Sequence, residues 1–246
     1  MPKYIILDTE TTGTQEHDRI IQLGYLVLDH QKTEVYNEFC SSDIPITYQA
    51  MAVHGITQET IEGKPSCHDT EAFQQLNALN VNENYLIIHN APFDLGMLEK
   101  EGFTCNMKLI DTLRVAKHVF EDEEAHGLQY FRYKLGLYKK EAAEAEALGI
   151  VVKAHDAIGD VLVLKLFLSE LRHAVQEKFP RVNPVAMMVE LTQKPVLVHT
   201  IRFGKYRGKS LADVAQEDSA YLNWMLKNME NLDDDMRYSI QYYLES

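Results

Sequence analysis

Two acids, Asp8 and Glu10, stand two residues apart in the stretch DTETTG, directly after the apolar run Tyr4–Leu7. If that run is a strand, positions 8 and 10 share one side of it. Carboxylates held side by side repel, and each favours its protonated form unless a cation neutralises the pair. A wet strand end followed by a Thr-Gly turn is the plainer explanation of the same residues. A second stretch, HNAPFDLGML (residues 89–98), also follows a short apolar run and places Asp94 in the first turn of a helix opened by Pro92. An acid there already suits the helix dipole. A third stretch, HDAIGD (residues 155–160), sets His155 on a loop, Asp156 as a candidate N-cap, and Asp160 one turn into a helix beside Ile158, Val161 and Leu162. A carboxylate bordering an apolar face is costly without a partner of opposite charge.

Singly, each stretch has an ordinary structural reading. Together they lie near the ends of consecutive elements, and in an open sheet the carboxyl ends of the strands converge on one crevice. Four acids gathered there are hard oxygen donors, suited to Mg²⁺ or Mn²⁺ rather than to a soft-ligand metal. Acids with one histidine are the donor set of two-metal phosphodiester hydrolysis. His155 would then take the proton of the attacking water, because an imidazole titrates nearest neutrality.

The elements that must position these residues follow from patterning. Strands are expected at Tyr4–Leu7, Ile20–Asp29, Glu34–Cys40, Tyr85–His89 and Lys108–Thr112, the second and third joined by the short turn HQKT as an antiparallel hairpin. Helices are expected at Thr70–Leu79, Pro92–Gly102, Leu113–Phe120, Leu128–Leu137, Glu141–Leu148 and Ala157–Lys178. A hairpin followed by strand–helix alternation predicts an α/β fold, a mixed sheet flanked by helices. The composition changes near Phe179, where PRVNP (residues 180–184) holds two prolines. The expected division is a main domain over residues 1–179, a linker over 180–198, and a small α+β C-terminal domain over 199–246.

Composition narrows the class. Of the 246 residues 46% are hydrophobic and 25% charged, as in an ordinary globular chain. No apolar run approaches the ~18 residues of a membrane span. The chain opens on a strand rather than a basic stretch with an apolar core, so no secretion signal is expected. Cys40, Cys67 and Cys105 are scattered and odd in number, which argues against a disulfide framework and fits a cytoplasmic setting. The net charge of −13 opposes non-specific binding to phosphate backbones. A nucleic-acid substrate therefore needs bound metal ions or a local basic patch. IRFGKYRGKS (residues 201–210) offers the patch: Arg202, Lys205, Arg207 and Lys209 stand there without an acid, interleaved with Phe203 and Tyr206. A solvated hairpin with core aromatics is the competing reading, and YLNWML (residues 221–226) reads as core.

DTETTG, HNAPFD and HDAIGD, in that order, resemble the three motifs of the DEDDh (DnaQ-like) 3′→5′ exonuclease superfamily over residues 4 to about 170. The tail resembles the C-terminal domain of exonuclease X-like proteins. The resemblance implies a ribonuclease H-like fold and two divalent ions per site. Asp8 would bridge both ions, Glu10 and Asp160 would complete the site of the ion holding the nucleophilic water, and Asp94 would support the second. His155 would be the general base, and nucleoside 5′-monophosphates the product. Thr11, Thr12 and Gly13 fall where family members seat the 3′-terminal nucleotide. His54 in VHGIT, Asn90 and Phe93 are further candidate contacts. The expected substrate is DNA with a free 3′ end, in repair or proofreading. Trimming of RNA 3′ ends is the alternative, because the acids and His155 face phosphate and water rather than the 2′ position. A non-catalytic nucleic-acid-binding or polymerase-associated module is the rival of another class. A homodimer or a polymerase partner is open, and no membrane association is expected.

Overall fold

Tyr4 to Phe39 fold as three consecutive strands, β1 (Tyr4–Thr11), β2 (Ile20–Leu28) and β3 (Thr33–Phe39). The structure is a computed structural model that describes residues 1–151 and 156–245, so His155 lies outside the described residues. Two short helices follow, α1 (Tyr48–His54) and α2 (Gln58–Ile61), then α3 (Glu71–Leu79), β4 (Tyr85–Ile88), α4 (Ala91–Lys100), β5 (Lys108–Asp111) and α5 (Thr112–Val119). The remaining helices of this part are α6 (Leu128–Lys134), α7 (Glu141–Leu148), α8 (Ala157–Lys178) and α9 (Pro184–Gln193).

The five strands form one mixed sheet in the order β3-β2-β1-β4-β5. The β1–β2 and β2–β3 pairs are antiparallel, and β1–β4 and β4–β5 are parallel. The pleat sends alternate side chains to opposite faces. Ile6, Leu26, Ile87 and Ile110 pack with α5, α6 and α8 in one core. Ile5, Leu7, Leu23, Tyr25, Leu86 and Ile88 pack with α3 and α4 in the other. Asp8 and Glu10 continue the Ile6 side of β1, so they face the layer that holds α8. Parallel pairing of β1 with β4 is registered through Ile6↔Ile87. The acid-bearing end of β1 therefore runs on past the paired segment, and a crevice opens at the carboxyl ends of the parallel strands.

The expected linker over 180–198 is corrected by α9, whose Met187, Met188 and Leu191 are buried in the same core as α8. Pro184 occupies the first helical position, where its missing N–H costs nothing, and Asn183 Oδ1 accepts from the N–H groups of Val185 and Ala186. The prolines punctuate two helices rather than mark a free tether. The chain divides into two compact units, Met1–Thr192 and the residues from Gln193 onward. The second unit contains α10 (Leu211–Glu217), α11 (Ser219–Asn228) and α12 (Asp234–Glu245) around Ile201, Leu211, Val214, Leu222, Met225 and Ile240. Among its described residues there is no strand. Only a bridge between Thr200 and Ser210 stands where the expected β part would be. The Ile201 N–H donates to the Lys209 carbonyl (2.9 Å) and the Leu211 N–H to the His199 carbonyl (2.8 Å), and Gly204 and Gly208, at φ 70° and 88°, turn the loop between them. No helix among the described residues is long and apolar enough to cross a membrane.

Candidate active site

Asp8, Glu10 and Asp160 each offer a carboxylate oxygen, and these oxygens lie within 4.8 Å of one another. Two of the three come together simply because β1 has period two. The third requires the first turn of α8 to approach the sheet closely, and β2 supplies the means. Gly24 lies opposite Asp8 in the β1–β2 register. A Cβ on Gly24 would stand 2.8 Å from the Ile158 nitrogen and 2.9 Å from the Ala157 carbonyl carbon. Glycine is thus the residue that lets the helix start against the strand. Two positions earlier, Gln22 is fully buried, donates from Nε2 to Asp156 Oδ1 (2.8 Å) and accepts from the Ala157 N–H (3.3 Å). Asp156, read as an N-cap, makes no cap hydrogen bond of its own. The side chain of Gln22 satisfies a first-turn N–H of α8 instead.

Asp160 is also held from the opposite side. Gln129 Nε2 donates to Asp160 Oδ1 (2.6 Å), and Arg132 Nη1 donates to Gln129 Oε1 (3.2 Å). Arg132 meets Glu141 through two hydrogen bonds of 2.6 Å, with only 13% and 5% of the two side chains exposed. That fork fixes the guanidinium, and the chain of contacts fixes Asp160.

Asp94 reaches the group around the strand tip. It is buried in the first turn of α4, and its Oδ1 accepts from both the N–H (3.0 Å) and the hydroxyl (2.8 Å) of Thr9. Thr9 faces the α4 side of β1, so the fourth acid comes in from the other layer. Burial pushes Asp94 up to about 7, against the lowering effect of the Thr9 hydrogen bonds. Asp8 is held well above the ordinary carboxylate range, by burial first and then by Asp94, Asp160, Glu10 and Asp156. As a set of anions these groups oppose one another. A hard divalent cation is the partner that lets all of them be charged at neutral pH, and an all-oxygen donor set fits Mg²⁺ or Mn²⁺.

Beside the acids, Glu10, Thr11, Gly13, Val53, His54 and Phe93 line a cleft of about 320 Å³. Among the expected nucleotide contacts, Thr11, Gly13, His54 and Phe93 thus fall together. The Ile56 N–H donates to His54 Nδ1 (2.9 Å), so Nε2 carries the proton and donates to the Thr11 carbonyl (3.2 Å). The neutral ring ties α1 to the end of β1. Thr12 does not reach the cleft. It is fully buried, its hydroxyl donates to Asp18 Oδ1 (2.7 Å), and it accepts from the Arg19 N–H (3.1 Å). A Cβ on Gly13 would come within 2.5 Å of the same Asp18 carboxylate. Asn90 also lies outside the cleft lining. Its backbone adopts φ 75°, and its N–H donates to Asp111 Oδ1 (3.1 Å). His89, which opens the same motif, is pushed down to about 4 by burial and so stays neutral at physiological pH.

In the second unit Arg202, Lys205, Arg207 and Lys209 are all exposed, but they are not an unopposed cluster. Lys205 pairs with Asp218 (3.0 Å) and Lys209 with Glu217 (2.9 Å). Sequence separation hid these acids, which arrive from the ends of α10 and its successor.

Gln22, Gly24, Thr9, Gln129 and the Arg132–Glu141 pair carry much of the positioning and were not singled out from sequence. Gln22 gave the clearest signal, as a polar residue inside the nine-residue run IIQLGYLVL.

A family described as Exonuclease matches residues 5–167, and one described as Exodeoxyribonuclease X-like C-terminal matches residues 201–230. The chain is 28% identical to Exodeoxyribonuclease 10 of Escherichia coli over 244 residues, which is 98% of each protein. It is 33% identical to the DNA polymerase III subunit epsilon of Haemophilus influenzae over 134 residues, 48% of this chain and 51% of that one. Exonuclease X, solved in complex with 5′ overhanging duplex DNA, shares the fold with a TM-score of 0.54 at 19% identity, over 78% of this chain and 99% of that chain. E. coli exonuclease I, solved with a dA16 oligonucleotide, does so with a TM-score of 0.57 at 17% identity, over 95% of this chain and 61% of that one.

Proposed function

The chain belongs to the exonuclease family, and from that membership we propose that it removes nucleotides from the 3′ end of DNA by metal-dependent hydrolysis in the cytoplasm. The observation that carries this reading is the group Asp8, Glu10 and Asp160, with their carboxylate oxygens within 4.8 Å of one another and Asp94 behind them. The near full-length likeness to Exodeoxyribonuclease 10 supports DNA over RNA as the polymer.

Asp8, Glu10 and Asp160 would hold two Mg²⁺ or Mn²⁺ ions, with Asp94 supporting the second. When bound there, the ions supply a water of lowered pKa and offset the charge that builds on the phosphate. The residues of the chain do the rest. The cleft lined by Thr11, Gly13, His54 and Phe93 seats the terminal nucleotide, with Phe93 available to the base and the end of β1 to the sugar. His155 takes the proton of the attacking water. The water oxygen bonds to phosphorus, the bond from phosphorus to the 3′ oxygen of the penultimate nucleotide breaks, and that oxygen leaves to be protonated. The products are a nucleoside 5′-monophosphate and a chain one residue shorter with a free 3′ hydroxyl.

Incubation with 5′-labelled DNA and RNA oligonucleotides tests the reading. A ladder shortening from the 3′ end, faster on DNA and lost with chelator and in Asp8→Asn, is the expected result. Cleavage that survives chelation, or none on either polymer, would overturn it.

A further inference from the structure

Tyr206 and Tyr221 of the second unit pack against its small core, and Trp224 lies outside it. Trp224 is 52% exposed, and Tyr221 stacks on it with ring centroids 5.9 Å apart and planes 23° from parallel. Tyr206 meets Tyr221 edge-on at 5.0 Å. The group is braced. Asp218 Oδ2 accepts from the Tyr206 hydroxyl (2.7 Å) and the Lys205 ammonium (3.0 Å), while its Oδ1 accepts from the Tyr221 N–H (3.1 Å) and caps α11. Lys205 lies over the rings of Tyr206 and Tyr221, at 4.5 and 5.7 Å from their centroids. Gly204, at φ 70°, leaves room for the Tyr221 hydroxyl, which a Cβ there would meet at 2.8 Å. The loop is therefore locked to the start of α11, and the indole remains outside.

We infer that Tyr221 and Trp224, with Arg202 and Arg207 on the adjoining loop, form a stacking platform for single-stranded nucleic acid. An exposed indole already backed by a tyrosine offers a rigid apolar face of the kind on which bases stack, at little cost in side-chain freedom. Lys205 and Lys209 are taken up by Asp218 and Glu217, so they hold the loop rather than the polymer. Arg202 and Arg207 are exposed and have no carboxylate partner among the described residues, which leaves them for phosphates. The inference rests on the exonuclease reading for the nature of the polymer. It gives the second unit a task apart from the chemistry: holding the strand.

Trp224 is the single tryptophan of the chain, so its emission reports on this face alone. Full-length protein in chelator, which prevents cleavage, is titrated with an oligothymidylate of about 15 nucleotides, the span of one small binding module. Saturable quenching of the emission is the expected result. Anisotropy of a labelled oligothymidylate is expected to show affinity weakened by about tenfold in Trp224→Ala and again in the Arg202→Glu, Arg207→Glu pair. Circular dichroism of each variant reports whether the unit still folds. Oligouridylate is expected to quench as well, because every base has a stacking face. Unchanged emission would overturn the platform, whether the oligonucleotide binds elsewhere, does not bind, or the face serves a protein. The same oligothymidylate with Mg²⁺ and no chelator separates the two readings: cleavage without quenching refutes the platform, and quenching without cleavage refutes the exonuclease.

Discussion

Asp8 and Asp94 set the residue-scale energetics, since both carboxyls are held above their ordinary range, Asp94 at about 7. The unfolded chain ionises such groups near 3.8, and the folded chain resists. For a carboxyl raised in this way, folding is favoured at low pH and loses that advantage as pH climbs through the folded value. Removing one of the mutually repelling charges should therefore help the metal-free protein. In chelator, Asp8→Asn is expected to melt higher than wild type by about 5 °C near pH 7 and by little near pH 4. Mg²⁺ should raise the wild-type melting temperature at pH 7 and leave that of the variant nearly unmoved. A gap that is independent of pH would refute the electrostatic assignment. Thr9→Val removes a hydrogen bond that lowers Asp94, so the acid limb of the activity profile should move to higher pH. An unmoved limb would mean that Asp94 does not control it. The placement of Asp8 and Glu10 on one side of β1, and of Asp94 and Asp160 in the first turns of α4 and α8, was legible in sequence, because strand parity and helix starts are local. Thr9 and Gln129 were not, since each acts through a partner dozens of residues away.

At the scale of elements, the central device is the approach of α8 to β2. Gly24 leaves the space, Gln22 caps the helix start, and Gln129 steadies Asp160 from α6. Gly24→Ala would set a methyl against helix backbone, which cannot yield as a side chain tip can. Overpacking of this kind costs about 1–3 kcal/mol, and a displacement near 1 Å costs about a hundredfold in rate. Melting and turnover measured together are expected to show both losses. Normal turnover would mean that α8 can shift without moving Asp160. Gln129→Leu keeps the volume and removes the donor. It should raise the Mg²⁺ concentration for half-maximal activity by about tenfold with little change in melting temperature. An equal fall in rate at saturating Mg²⁺, with no change in Mg²⁺ dependence, would assign Gln129 to packing alone. All five strands and the long helix followed from apolar runs and periodicity. Helices α1 and α2, of seven and four residues, are too short for a period to register. Helix α9 was hidden by prolines that read as tether but serve as a stop and a start.

Over the whole molecule, a chain of net charge −13 acts on a polyanion, which is the least expected feature of its composition. The local basic patch is half neutralised by its own acids, so binding should depend on salt only weakly. The logarithm of kcat/KM against the logarithm of monovalent salt is expected to fall with a slope shallower than about −2, as for one or two phosphate contacts. A steep slope would point to a cationic track elsewhere in the chain. The change in composition near Phe179 pointed to a second unit, and the division falls later, after Thr192, because Met187, Met188 and Leu191 of α9 are buried in the core of the first. Cation binding by the full-length chain is the most direct measurement of the site itself. Equilibrium dialysis against Mn²⁺ at neutral pH should find about two ions per chain, and Asp8→Asn should abolish their tight binding. Tight binding that Asp8→Asn leaves intact would contradict a catalytic centre built on the end of β1.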